Sequence, residues 1–115
     1  MGELFDNWTV QARKGILELA VLSALSSRER YAYELVRLLV DIPGLGVSEG
    51  TIYPLLSRLR VQNLVAARLV ESTEGPARKY YNLTGEGRKT LAMMRGYLES
   101  VLKGVMTLGE GKEQP

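Results

Sequence analysis

Apolar and polar positions alternate along this 115-residue chain in blocks that change period several times. The first block predicts a helix from about Trp8 to Ala24 or Leu25. Its second half, Ile16-Leu17-Glu18-Leu19-Ala20-Val21-Leu22-Ser23-Ala24-Leu25, is apolar almost all round. A helix of that kind must be covered on most sides, by the domain's own core or by a second copy as well. Ser26-Ser27-Arg28-Glu29-Arg30 is a polar break. A second helix follows over Tyr31–Val40, with Leu35, Leu38 and Leu39 at three- and four-residue spacing. Pro43-Gly44-Leu45-Gly46 ends it.

Ser48 is the expected N-cap of a third helix, its hydroxyl placed to accept a free N–H of the first turn. Ile52, Leu55, Leu56 and Leu59 share one side of that helix and predict the core face. The opposite side is centred on Gly50, Pro54, Ser57 and Val61, flanked by Thr51, Tyr53 and Arg58. These residues do little for helix stability, and Pro54 removes an intrahelical hydrogen bond. A solvated face ordinarily carries Glu and Lys, whereas small and hydroxylated residues allow close approach to base edges and phosphates. Asn63 suits a left-handed C′ position. Val65, Ala67 and Leu69 then alternate with Ala66 and Arg68 as in a half-buried strand. After turn residues Ser72–Pro76, a return strand places Tyr81 and Leu83 inward and Arg78, Tyr80 and Asn82 outward. Thr84 caps a last helix whose Leu91, Met94, Leu98, Val101, Val105 and Leu108 repeat as 3, 4, 3, 4, 3. So narrow a seam favours packing on another helix, expected here to be the first helix of a second copy at Ile16, Leu17 and Ala20.

The pattern defines a fold class: mainly α with a small β-hairpin, a winged helix-turn-helix plus a C-terminal dimerisation helix. The expected division is 1–83 for the winged unit with its N-terminal helix, 84–108 for the dimerisation helix and 109–115 for a frayed tail. Such a layout offers a helix to a DNA major groove and a ribbon to the adjacent backbone.

Composition changes this picture in two ways. There is no histidine and no cysteine, which removes the commonest general base, the thiol nucleophiles and the usual zinc ligands. The acids are scattered singly, so no catalytic residue, metal or cofactor is expected. The acidic N-terminus resembles no secretory leader and no apolar run reaches membrane length, so the chain is expected in the cytoplasm. Charge is also uneven. Residues 1–57 hold five basic and seven acidic side chains, and residues 58–115 hold ten and six. A polyanion partner calls for a basic excess there, although a solvated surface can show the same imbalance by chance.

Four segments, Arg13–Leu19, Tyr31–Leu35, Gly50–Leu59 and Gly75–Thr84, together resemble the PadR family of bacterial transcriptional regulators. The Thr51-Ile52-Tyr53-Pro54-Leu55-Leu56 and Arg78-Lys79-Tyr80-Tyr81 elements are the specific ones. The likeness spans about residues 13–105, and the short final helix resembles the family's compact branch. It implies a homodimeric winged-helix repressor of double-stranded DNA, often relieved by a small aromatic molecule. The recognition role falls on Thr51, Tyr53, Pro54, Ser57 and Arg58, with Ser48 at the head of the same helix. The wing role falls on Arg78 and Lys79, beside Tyr80. Tyr31 and Tyr33 resemble positions that approach the DNA backbone. Ala32 and Asn63 stand where the family usually has Gly. The final helix has no tryptophan, so a compact-branch pocket would instead draw on Trp8, Met93, Met94 and Tyr97 between subunits. A rival assignment is a winged-helix module that binds a ligand or protein and not DNA; a more distant one is an enzyme.

Overall fold

The computed structural model describes residues 2–111. In chain order they form α1 (Glu3–Leu25), β1 (Arg30–Tyr31), α2 (Ala32–Val40), α3 (Glu49–Val61), β2 (Val65–Ser72), β3 (Gly75–Leu83) and α4 (Gly85–Thr107). The expected tail residues Lys112–Pro115 lie outside the described residues. The three strands form one antiparallel sheet in the order β1-β3-β2. None of the described helices is long and apolar enough to cross a membrane.

The core sits where α1, α2, α3 and the base of the sheet meet. Val21, Leu22 and Leu25 of α1, Leu35 of α2, Ile52, Leu56 and Leu59 of α3, and Val65 of β2 are essentially inaccessible to water. Each such side chain contributes about 1.5–3 kcal/mol of burial free energy, and together they fix α3 against α1 and α2. The apolar face assigned to α3 is therefore the face that packs, which leaves its opposite face outside.

Both ends of α3 are set by local chemistry. Ser48 is extended (φ −147°, ψ 167°) and starts the helix. Thr51 reaches back to accept the Ser48 N–H at 3.0 Å, and its hydroxyl donates to the Ser48 carbonyl at 2.8 Å. At the far end Asn63 takes φ 63°. Its N–H donates to the Arg60 carbonyl at 2.9 Å, and the Leu64 N–H donates to the Leu59 carbonyl at 3.0 Å, the paired bonds of a Schellman stop. Thr84 caps α4, its hydroxyl accepting the Gly87 N–H at 2.9 Å and donating to the Asn63 carbonyl at 2.7 Å. One threonine thus ties the start of α4 to the end of α3.

Four expectations are corrected. α1 begins at Glu3, five residues before Trp8, with Glu3 and Asp6 in a first turn that favours acids. Arg30 and Tyr31 form a strand against Tyr81 and Tyr80, a two-residue pairing too short to leave a periodic signal. Leu38 and Leu69, assigned inward, are exposed. Leu69 opposes Lys79 where the hairpin has already run past the core. Leu91, assigned to the dimer seam, is only 4% exposed and belongs to the chain's own core.

Beyond Leu91, α4 packs along α1, and its exposure rises outward: Met94 and Leu98 are half-buried, while Val101, Val105 and Leu108 are exposed. The radius of gyration is 17.0 Å and the long axis 62 Å, against about 13 Å for the radius of a compact chain of this length. The two long helices account for that elongation.

Candidate nucleic-acid interface

The outer face of α3 is free of the chain's own fold. Ser48, Gly50, Thr51, Tyr53, Pro54, Ser57, Arg58 and Val61 are all exposed. The buried face opposite is continuous, so this open face is presented rigidly. Pro54 lies in the sixth position of the helix and gives no N–H to the Gly50 carbonyl, which leaves that carbonyl open on the outer side.

Arg58 differs from its companions. Its Nη2 lies 3.8 Å from Glu18 Oε1 of α1, so it leans to the α1 flank. Tyr53 and Arg60 lie on the other flank. Both act on Tyr81, whose hydroxyl is pushed up chiefly by burial, with Arg60 opposing that shift and Tyr53 adding to it. Arg60 was not among the expected DNA-facing residues. Its position seven residues after Tyr53 puts it on the same helix stripe, so the signal was available.

The wing carries a second surface. Arg78 and Tyr80 project from one side of β3, and Lys79 from the other. Pairing of Tyr31 with Tyr80 brings the head of α2 beside the wing. There the Tyr31 ring meets Tyr80 edge-on at 5.4 Å and stacks with Tyr33 at 6.4 Å. The Arg78 guanidinium sits 4.7 Å above the Tyr31 ring centre. Arg37, one turn beyond Tyr33, donates to the Tyr33 hydroxyl at 3.1 Å. Arg37 was also unassigned from sequence, although its i, i+4 spacing from Tyr33 places both on one stripe.

Carboxylates beneath this surface hold its frame. Glu29 takes a two-pronged contact from Arg68 of β2, one arm at 2.9 Å from Nε to Oε2. That hydrogen bond holds the Glu29 carboxyl below its ordinary range. Burial pushes Glu34 up, but the Tyr31 N–H at 3.1 Å and Arg28 at 3.0 Å outweigh it, and the net direction is down.

The expected dimer residues divide. Ile16, Leu17, Ala20, Met94 and Leu98 lie along α1 and α4, with Val101 and Val105 exposed further out and Leu91 withdrawn into the core. Between α1 and α4 runs an apolar groove of about 470 Å³ that includes Trp8, Ile16, Leu19, Met94, Tyr97 and Leu98. Three of the four expected effector residues therefore share it. Met93 is the correction: it is exposed and does not line the groove, because one residue before Met94 is about 100° away around a helix.

Three helices around a core, a capped third helix with an open outer face and a basic β-ribbon beside it define a winged-helix DNA-binding protein. The model of the transcriptional regulator PadR-like family matches residues 21–93. The chain belongs to this family, whose members are transcriptional regulators and not enzymes. Among solved structures, it is similar to a PadR family transcriptional regulator from Eggerthella lenta DSM 2243, at 32% identity over 96% of each chain with a TM-score of 0.81. It is also similar to a PadR-like transcriptional regulator from Bacillus cereus strain ATCC 14579, at 38% identity over 89% of this chain and 99% of that one, with a TM-score of 0.79. A protein of Lysinibacillus sphaericus described only as uncharacterized is 26% identical over 81 residues, covering 69% of this chain and 74% of that protein.

Proposed function

We propose that this regulator is a sequence-specific repressor that binds double-stranded DNA as a homodimer and is released by a small apolar, aromatic effector. The observation that carries the DNA part is the outer face of α3, open along its length and flanked by the cationic wing. Thr51, Tyr53, Ser57 and Arg58 face base edges and nearby phosphates, with Ser48 and Pro54 at close approach. Arg78 and Lys79 hold the backbone, with Tyr31, Tyr33 and Tyr80 bordering it.

Support for the homodimer is the unpaired apolar surface on the long helices. Val101, Leu102, Val105 and Met106 of α4 and Leu4, Phe5 and Trp8 of α1 are all exposed. A contiguous apolar surface of this kind on a folded chain marks an association site. Support for the effector is the α1–α4 groove, whose Trp8, Tyr97 and Met94 suit a flat apolar molecule.

The test is a titration of the chain onto fragments of its source genome at several salt concentrations, repeated with flat aromatic compounds. A selected operator, a steep loss of affinity with salt, and compound-induced release accompanied by quenching of Trp8, the sole tryptophan, are expected. A flat salt response refutes DNA binding and leaves the ligand- or protein-binding module. A monomer at working concentration refutes the dimer.

A further inference from the structure

The aromatic surface beside the wing contains an ordered strip, of which the assignment of contacts above names Arg78, Tyr31 and Tyr33 but not Arg37. Its sequence in space is Arg78, Tyr31, Tyr33, Arg37. The Arg78 guanidinium lies 4.7 Å over the Tyr31 ring, Tyr31 and Tyr33 stack at 6.4 Å, and the Arg37 guanidinium lies 5.9 Å over the Tyr33 ring. The strip joins the wing to the first turns of α2, the helix that crosses the DNA backbone in a helix-turn-helix.

The neighbouring charges show which groups are spoken for. Arg28 is paired with Glu34, and Arg68 with Glu29. Arg30 is tied to the Ala24 carbonyl at 2.9 Å and to the Ser27 hydroxyl at 3.2 Å. Arg37 feels Asp41 at the end of its helix but makes no ion pair with it. Among the described residues, Arg78 lies on the Tyr31 ring with no acid or carbonyl partner, and Arg37 lies against Tyr33, giving one N–H to its hydroxyl at 3.1 Å and keeping the others free. A guanidinium resting on a ring keeps its edge N–H groups free for a phosphate while its long side chain is already ordered.

We propose that Arg37 and Arg78 are a matched pair of DNA-phosphate clamps, and that Tyr31 is the positioning residue that orders Arg78 through its ring face and not through its hydroxyl. This rests on the DNA-binding assignment above. It adds a contact on α2 that the recognition helix and the wing do not supply, and it gives Tyr31 a role that its hydroxyl does not perform. The Tyr31–Tyr80 strand pairing fixes the platform, because it places the Tyr31 ring directly under the base of the wing.

Phosphate clamps act on any sequence, so the probe is a mixed-sequence duplex of about 30 base pairs, roughly three helical turns. Binding of the full chain is measured by fluorescence anisotropy across a salt series, with thermal melts of every variant. Arg37→Ala and Arg78→Ala each lower the salt slope by about one, and the double variant by about two. Tyr31→Phe, which keeps the ring, weakens binding less than Tyr31→Leu does. Tyr31→Leu weakens binding about two- to fivefold and has no further effect in an Arg78→Ala background. An unchanged slope for Arg37→Ala refutes the α2 clamp. A loss in Tyr31→Phe equal to that in Tyr31→Leu refutes the ring-face role and assigns the contact to the hydroxyl. Absence of any duplex binding by the wild-type chain overturns the DNA-binding proposal itself, a result distinct from either of these. Arg37 is exposed on its helix, so its variant folds and the first arm is decisive whatever the stability of Tyr31→Leu.

Discussion

Gly87 is the joint between the winged unit and its long final helix, and its substitution by alanine has a worked outcome. A Cβ at Gly87 would stand 2.0 Å from the Leu64 carbonyl oxygen and 3.1 Å from Leu83 Cδ2. Ordinary contact begins near 3.4 Å, so the backbones must separate by more than 1 Å. The Leu64 carbonyl cannot swing aside freely, because it accepts the Thr84 N–H at 3.2 Å. Overpacking against so rigid an atom costs about 1–3 kcal/mol, the upper end applying here. Disturbing the Thr84 cap adds about 1 kcal/mol. The better helix propensity of alanine returns about 1 kcal/mol. The net expectation for Gly87→Ala is a loss of about 2–3 kcal/mol, or a Tm lower by about 8–12 °C for a domain of this size. Gly96, on the same helix with nothing within 4 Å of an added Cβ, is the control. Gly96→Ala gains up to about 1 kcal/mol. Both are measured by urea and thermal unfolding at one fixed protein concentration, since self-association would make stability concentration-dependent. A Gly87→Ala variant as stable as the wild type would refute the packing argument.

Further outcomes follow from the same geometry. Val105→Glu, at an exposed site, leaves the fold intact but converts the proposed dimer to a monomer in analytical ultracentrifugation; a dimer of unchanged mass places the interface elsewhere. Arg58→Ala lowers operator affinity by about 1–3 kcal/mol and relaxes base preference at one position, whereas equal loss on all sequences reduces Arg58 to a phosphate contact. Glu29→Gln removes a stabilisation that depends on pH. Arg68 depresses the folded-state carboxyl, so the stabilisation is complete above the ordinary value of 4.5 and disappears as pH falls through the depressed one. Wild type and variant are therefore expected to differ at pH 6 and to converge in urea unfolding as the pH is lowered through the depressed value; a gap that stays constant as the pH falls argues against the ion pair.

The local punctuation of the fold was legible in the chain. Ser48, Asn63 and Thr84 mark helix ends through hydrogen bonds to residues a few places away, and each stands at the boundary it signalled. The faces of α3 and the inward direction of Tyr81 and Leu83 were equally readable, since period and burial coincide there. Leu69 misled because alternation persists along a strand after the core beneath it has ended. Leu91 misled because a heptad seam does not say which partner each turn meets; its first position goes to the chain's own core and its later ones remain open.

Sequence alone determined both ends of α3 and the start of α4, which face of α3 is buried, and therefore which face is offered outward, because these depend on contacts within about one helical turn or one strand pair. Only the tertiary structure decided that Arg30 and Tyr31 form a third strand, that Arg78 reaches the Tyr31 ring, and that Arg58 leans to Glu18. Those contacts join residues far apart in the chain, and no local periodicity encodes a distance closed by the packing of the whole domain.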